Sequence, residues 1–360
     1  MRALLIINPR ATSMSGHYAG LVVRELRSQL RLETVQTRYR GHARELAAAS
    51  AAQGYELIVT FGGDGTVNEV VNGLMTADHG EGHDSSRGDD DDTRAGAISR
   101  PAIAPIPGGG ANVFARTLGV PLDPAEAVQG ILAAVGMDAR RTIGLGLAAS
   151  VARSRYFTFS AGLGLDAEVV SDVEQWRASG RRASAPLYMW TALRRYYTAT
   201  DRQNPALTLS GAGAPPSDSL FMGVVTNSSP WTYVGRHPVL PVPHTDFNSG
   251  LDVFALRRLS TLTTFSALGQ MMHMRSRPVA GRDVITAEAL SELGFHASRP
   301  IAFHIDGEYL GETEKVSFRY VPDALSVFAL CERNDVIDLT PNSKHWFAES
   351  PCAGRALLRG

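Results

Sequence analysis

The stretch Leu57-Ile-Val-Thr-Phe-Gly-Gly-Asp-Gly-Thr-Val-Asn-Glu-Val-Val-Asn-Gly73 constrains this chain more than any other. Its apolar, β-branched opening reads as a buried strand that stops at two glycines. Beyond the turn Gly62-Gly63-Asp64-Gly65-Thr66, the residues Val67, Val70, Val71 and Leu74 recur at helical spacing. Strand, glycine turn and helix in that order belong to an α/β sheet. Glycines in such a turn carry no Cβ, so the backbone can approach a phosphate closely and visit positive φ. The helix start directs N–H groups and a partial positive charge at the same place. No Gly-Lys-Ser/Thr follows, which excludes a Walker A loop, and the spacing is not Gly-x-Gly-x-x-Gly. A carboxylate such as Asp64 beside a phosphate cradle makes chemical sense when a divalent cation or a substrate hydroxyl stands between them.

The flanking sequence extends this unit. Apolar strands are predicted at Ala3–Ile7, Leu32–Thr37, Tyr55–Phe61 and Ala102–Pro107, and helices at Gly16–Leu30, Gly41–Ala52 and Pro121–Met137. That alternation predicts a doubly wound α/β domain over residues 1–140, with ligands bound beyond the carboxyl ends of the strands. Asn8-Pro9, Thr37 and the glycine turn all fall at such ends. A second glycine turn, Gly108-Gly109-Gly110-Ala111-Asn112, follows the strand ending at Pro107 and offers a facing wall. Asn112 reads there either as a helix cap or as a nucleotide contact.

From Arg140 the texture changes to short strands separated by Gly/Pro/Asn-rich turns. This predicts an antiparallel β-sandwich over residues 141–335, interrupted by helices near Asp166–Glu174 and Pro186–Thr198. The first of these helices follows Ala161-Gly-Leu-Gly-Leu165. The acidic, apolar-poor segment 78–100 is expected to be a disordered insertion, and its run Asp89–Asp92 lacks the fixed geometry a cation site needs. Residues 336–360 show no pattern and are assigned no role.

Composition narrows the function. With a net charge of −1, 44% hydrophobic residues and 20% charged residues, the chain lacks the broad basic field of a nucleic-acid binder. Two cysteines, Cys331 and Cys352, offer neither a disulfide framework nor a cysteine-based zinc site, and a reducing cytosol is expected. No apolar run approaches the ~18 residues that span a bilayer, so any membrane contact is expected to be peripheral. The segment carrying Arg177, Arg181, Arg182, Trp190, Tyr196 and Tyr197 suits either an anionic lipid surface or a helix packed on the β domain.

Five segments, in order, resemble one family: Gly62-Gly-Asp-Gly-Thr-Val-Asn-Glu69, Pro107-Gly-Gly-Gly-Ala-Asn-Val-Phe-Ala-Arg-Thr-Leu-Gly119, Ala161-Gly-Leu-Gly-Leu-Asp-Ala-Glu-Val169, Gly250-Leu-Asp-Val253 and Ile305-Asp-Gly-Glu308. Together they look like a bacterial lipid kinase of the diacylglycerol kinase catalytic-domain family. The resemblance covers about residues 1 to 330. It implies ATP-dependent phosphorylation of a lipid hydroxyl, with diacylglycerol or a related lipid alcohol as acceptor and ATP and Mg2+ as cofactors. The implied nucleotide-binding residues are Asn8, Pro9, Arg10, Thr37, Gly62, Gly63, Asp64, Gly65, Thr66, Asn68, Glu69, Gly109, Gly110 and Asn112. Glu308 is the implied general base, and Asp64 the implied organiser of magnesium and nucleotide.

The chain departs from the family pattern at Gly110, Val113 and Ser249, which replace a Thr, an Asp and an Asp. The resemblance implies a structural magnesium near Asp246, Ser249 and Leu251, with one carboxylate missing from its expected place. Alternatives are a nucleotide-binding regulatory homologue without kinase activity, or an NAD kinase. The implied setting is cytoplasmic, transiently at the inner face of the cell membrane, with a lipid substrate as partner, no nucleic acid, and a homodimer left open.

Overall fold

A computed structural model describes residues 1–11, 16–76, 100–178, 185–198, 200–211, 213, 215–273 and 277–329. The acidic segment read as an insertion (apart from Arg100), Arg181, Arg182, the side chain of Arg177 and the tail from 336 lie outside the described residues.

The N-terminal half alternates as expected. Strands β1 (Arg2–Ile7), β2 (Arg31–Gln36), β3 (Leu57–Gly62) and β4 (Ala102–Pro107) are parallel, in the spatial order β4-β3-β1-β2. Successive residues of these strands feed opposite faces, as the period of two requires. Ala3, Leu5, Ile7, Leu57, Val59 and Phe61 point into a core covered by α1 (Gly16–Arg27) and α5 (Pro124–Gly136). Leu4, Ile6, Ile58 and Ile103 point into the other, covered by α2 (His42–Ser50) and α3 (Asp64–Thr76). Both helix pairs present apolar stripes for this purpose, Val22 and Leu26 on α1 and Val67, Val70, Val71 and Leu74 on α3. Helix α5 begins at Pro124, with the Asp123 side chain accepting from the amides of Ala125 and Glu126. A five-residue helix, α4 (Val113–Thr117), links the second glycine turn to it.

The C-terminal half is antiparallel: β5 (Arg140–Ser150), β6 (Ser154–Phe157), β7 (Ser160–Gly164), β8 (Leu207–Ser210), β9 (Ser217–Leu220), β10 (Met222–Thr226), β11 (Thr232–Val234), β12 (His237–Val239), β13 (Leu251–Leu256), β14 (Val284–Leu290), β15 (Glu292–Ile305) and β16 (Glu308–Phe328). Helices α6 (Leu165–Ala178), α7 (Ala185–Thr198) and α8 (Thr261–Met272) pack against it. The α/β-plus-β class is therefore as expected, with differences in detail. Residues 161–164, given no element from the sequence, belong to the inner strand β7, paired with both β10 and β15. Gly162 lets it pass there, because a Cβ would lie 2.1 Å from Asp166 Oδ2 and 2.5 Å from His304 Nε2.

The two halves are not separate sheets. Strand β16 pairs with β15 and β5, bends at Asp323 (φ 48°), and ends beside β4 in parallel, with Val327 opposite Ile103. Val327 and Phe328 are fully buried in the two cores of the α/β half. The last described strand thus completes the first sheet, and its start lies at the cleft between the halves.

Candidate active site

The two glycine turns form one saddle. The Gly108 amide donates to the Gly62 carbonyl at 2.8 Å. A Cβ on Gly108 would lie 3.0 Å from Gly62 Cα, and one on Gly109 would lie 2.6 Å from Gly63 Cα. The glycines are needed for this backbone-to-backbone approach. None of Gly62, Gly63, Gly65, Gly108 and Gly109 has positive φ, which corrects the conformational part of the expectation. Gly62 itself lies beneath the cleft, while Gly63, Gly65, Gly109 and Gly110 line it.

Several expected ligand residues instead hold the saddle in place. Asn112 takes a left-handed backbone (φ 49°), makes no side-chain cap and locks onto Gly109: its Oδ1 accepts from the Gly109 amide at 2.7 Å and its Nδ2 donates to the Gly109 carbonyl at 2.8 Å. Asn68 faces the β half, its Nδ2 donating to Asp306 Oδ2 and to the Tyr156 carbonyl, its Oδ1 accepting from Arg155 Nε. Both side chains are committed to protein partners. Glu69 borders the cleft, yet its two oxygens accept from the amides of Gly41 and Ala43 and so close the N-terminus of α2.

Around the cleft itself stand Asn8, Pro9, Arg10, Thr37 and Thr66. Asn8 is fixed by its amide on the Phe61 carbonyl and its Nδ2 on Thr66 Oγ1, at 2.9 and 3.1 Å. Its Oδ1 accepts from the Arg10 amide. Asp64 occupies the first turn of α3, where the helix dipole favours a negative charge. Its Oδ1 accepts from the Phe114 amide at 3.1 Å. Loss of water around it pushes the carboxyl up to about 6, and nearby Asp306 adds to this against the pull of the Phe114 and Val113 amides. Val113, which replaces the family's Asp, is buried and contributes its backbone.

Asp306 ties the cleft together. Its buried carboxylate accepts five hydrogen bonds: from Asn68 Nδ2, from the amide and hydroxyl of Thr158, and from the amides of Phe159 and Ser160. Burial pushes this carboxyl up, while the donors favour its ionised form. Two residues on, Glu308 accepts from Arg40 through Nε (2.9 Å) and Nη2, and from Arg155 Nη2 on its other oxygen. Burial alone would raise the Glu308 carboxyl; Arg155 and Arg40 outweigh it and hold the group below its ordinary value. Sequence reasoning missed Arg40, Arg155 and the hub role of Asp306. It also missed the pair His304 Nε2–Asp166 Oδ2 at 2.5 Å, on the same cavity.

The residues expected at a structural metal lie in one turn and at the start of the strand after it. Asp246 and Ser249 are exposed and hydrogen-bond within their own turn, Asp246 Oδ1 to the Asn248 amide and Ser249 Oγ to the Asp246 backbone. Leu251 is buried in β13. Among the described residues no three His, Cys, Asp or Glu side chains cluster. Asp252, from the Gly-Leu-Asp-Val segment, spends its carboxylate on Thr245 Oγ1 and the Ala289 amide.

The cleft continues into the β half as one cavity of about 1200 Å3. At the glycine end its walls are polar; beyond Asp166 and His304 they are Val169, Tyr196, Met222, Phe254, Leu268 and Met271.

This arrangement has known relatives. Residues 2–140 match the model of the diacylglycerol kinase catalytic domain. That span is a diacylglycerol kinase catalytic domain, the mark of a lipid kinase. It is 26% identical over 322 residues to a diacylglycerol kinase of Bacillus subtilis, covering 86% of this chain and 90% of that one. A sphingosine kinase of Arabidopsis thaliana is 25% identical over 330 residues, 80% of this chain and 63% of that protein. The crystal structure of a diacylglycerol kinase from Bacillus anthracis strain Sterne superposes with a TM-score of 0.63 at 19% identity, over 91% and 97% of the two chains, which establishes the shared fold. The kinase thus carries its matched catalytic domain in the α/β half and the Asp-Gly-Glu segment outside it.

Proposed function

We propose that this kinase transfers the γ-phosphoryl group of ATP to the hydroxyl of diacylglycerol or a related lipid alcohol, giving phosphatidic acid in the first case. One observation carries the reading: a single cavity of about 1200 Å3 joins the glycine saddle to a chamber walled by apolar side chains. Backbone amides of the saddle and the start of α3 favour the phosphates. Asp64, beside them, fits a magnesium ion, which typically takes one or two carboxylates and completes its shell with phosphate oxygens and water. When bound, that ion would offset charge on the phosphates. Asn8 and Thr66, braced on each other, would fix the nucleotide against the saddle. Glu308, at the start of β16, would accept the hydroxyl proton, and its fixed carboxylate would orient the attacking oxygen.

The acceptor would arrive from a membrane surface at the cytoplasmic face. Helices α7 and α8 line the apolar chamber on their inner sides through Ala192, Tyr196, Ala267 and Met271. Their outer sides expose Trp190 (53%) and Leu262 (83%), and Phe265, which lines the cavity, is itself 46% exposed. Arg194 lies over the Trp190 ring, giving the surface a cation beside its aromatic. Among the described residues no helix is long and apolar enough to cross a membrane. The test is incubation with labelled ATP, magnesium and a panel of lipids in vesicles, with identification of the product. Labelled phosphatidic acid is expected; transfer to no lipid, with NAD phosphorylated instead, would overturn the reading.

A further inference from the structure

The two arginines on Glu308 are held very differently. The Arg155 side chain is 15% exposed, and its Nε is committed to Asn68 Oδ1 at 2.8 Å, so it belongs to the fixed wall. The Arg40 side chain is 65% exposed and reaches across the cleft from the loop between β2 and α2. Two other carboxylates near Arg40 are already engaged, Glu69 by the Gly41 and Ala43 amides and Glu174 of α6 by the Tyr309 amide. Arg40 therefore bridges from the nucleotide half to Glu308 in the β half.

That bridge obstructs the carboxylate. Glu308 Oε1 receives both Nε and Nη2 of Arg40, which fills the two lone pairs of that oxygen. Oε2 receives Nη2 of Arg155. A hydroxyl that must donate to Oε1 finds it fully subscribed. A polyphosphate entering the same cavity presents more negative charge than one carboxylate, and several oxygens matched to a guanidinium fork.

We infer that Arg40 is a phosphate-responsive latch: it covers Glu308 Oε1 in the nucleotide-free kinase and is drawn off by the nucleotide's polyphosphate, freeing that oxygen for the acceptor hydroxyl. The inference rests on the nucleotide site proposed above. It makes Glu308 and ATP competitors for one guanidinium, so removing the carboxylate's charge strengthens ATP binding.

Calorimetric titration of the lipid-free protein with magnesium ATP tests this in a double-mutant cycle. Glu308→Gln is expected to bind ATP roughly two- to five-fold more tightly than wild type, the fold-change corresponding to an ion pair with one exposed partner that no longer has to open. In the Arg40→Ala background the same change is expected to give no gain. Arg40→Ala alone, altering an exposed side chain, is expected to weaken ATP at least about three-fold, one charge-assisted contact being lost. That arm stands even where Glu308→Gln fails to fold around Arg155. Unchanged or weaker ATP binding by a folded Glu308→Gln, a gain that persists without Arg40, or unchanged affinity of Arg40→Ala would each overturn the latch alone. Wild-type protein that binds no ATP would overturn the nucleotide site and the latch together.

Discussion

Asp64 accepts the Phe114 amide through Oδ1 and meets the cavity with part of its surface. With its carboxyl pushed up to about 6 from an ordinary 3.8, the folded apo-protein keeps a proton that the unfolded chain has already released in that window. The sign follows from linkage: the stability this group contributes is complete below about 3.8, falls as pH rises, and is lost above about 6. Asp64→Asn keeps an oxygen for the Phe114 amide and never carries the charge. It should therefore be more stable than the parent at pH 8, by at most on the order of 3 kcal/mol at ~1.4 kcal/mol per pH unit, the cavity-facing surface reducing that figure. At pH 3.5 the two proteins should coincide. Denaturant midpoints at both pH values measure this, and an equal gap at the two would refute the assignment.

At the scale of elements, one carboxylate joins four of them. Asp306 stands between β15 and β16, and its five donors come from α3, from the connection after β6, and from β7. Its left-handed backbone (φ 46°) suits Asn as well as Asp, so Asp306→Asn isolates the side-chain chemistry. An amide has one oxygen where the carboxylate has two, and on either side its NH2 would face at least one backbone amide that cannot accept. At about 1–3 kcal/mol for each buried donor left unsatisfied, the variant should lose roughly 2–5 kcal/mol in urea unfolding. A loss below 1 kcal/mol would show that the hub is dispensable. Such hubs were not legible in the sequence, and neither was the Arg40–Glu308 pair, which spans 268 residues. Charged residues in loops carry no periodic signal until the fold places them. The α/β half was legible because Ala3–Ile7, Leu57–Gly62 and Ala102–Pro107 are buried on both faces and read as continuous apolar runs. The convergence of Asn8, Thr37 and the glycine turn was legible from their positions at strand ends. Helix α8 was not, since Thr261, Thr263 and Thr264 dilute its pattern and, among its twelve residues, Ala267 and Met271 are the buried ones. Strand β16 is not legible as one strand because Pro322-Asp323 interrupts its pattern, where the structure bends and shifts register between Val321 and Leu325.

Across the whole molecule, the first and last described strands lie in one sheet, and this bears on what the catalytic domain is. The matched span ends at residue 140, yet its outer strand β4 has β16 for a neighbour. Phe328 is fully buried among Leu57, Ala104, Ile106 and Ile131, while Val327, Leu325 and Ala324 enter the core beneath α2 and α3. A fragment of residues 1–140 would lose these side chains, expose the edge of β4 and open both cores at once. Each large apolar side chain removed from a packed core costs about 2–5 kcal/mol, against a typical total of roughly 5–15 kcal/mol for a domain. Losing three such neighbours, Leu325, Val327 and Phe328, consumes that margin, and a bare hydrophobic edge invites self-association. We therefore expect the 1–140 fragment to show no cooperative thermal transition, and to aggregate. Co-expression with residues 141–335 should restore a soluble complex that unfolds in one step. A monomeric 1–140 fragment that unfolds cooperatively would refute this and make the α/β half a self-sufficient folding unit. In the intact kinase Glu308 begins the strand whose far end lies beside β4, so the shared sheet connects the carboxylate to the strands that carry the saddle.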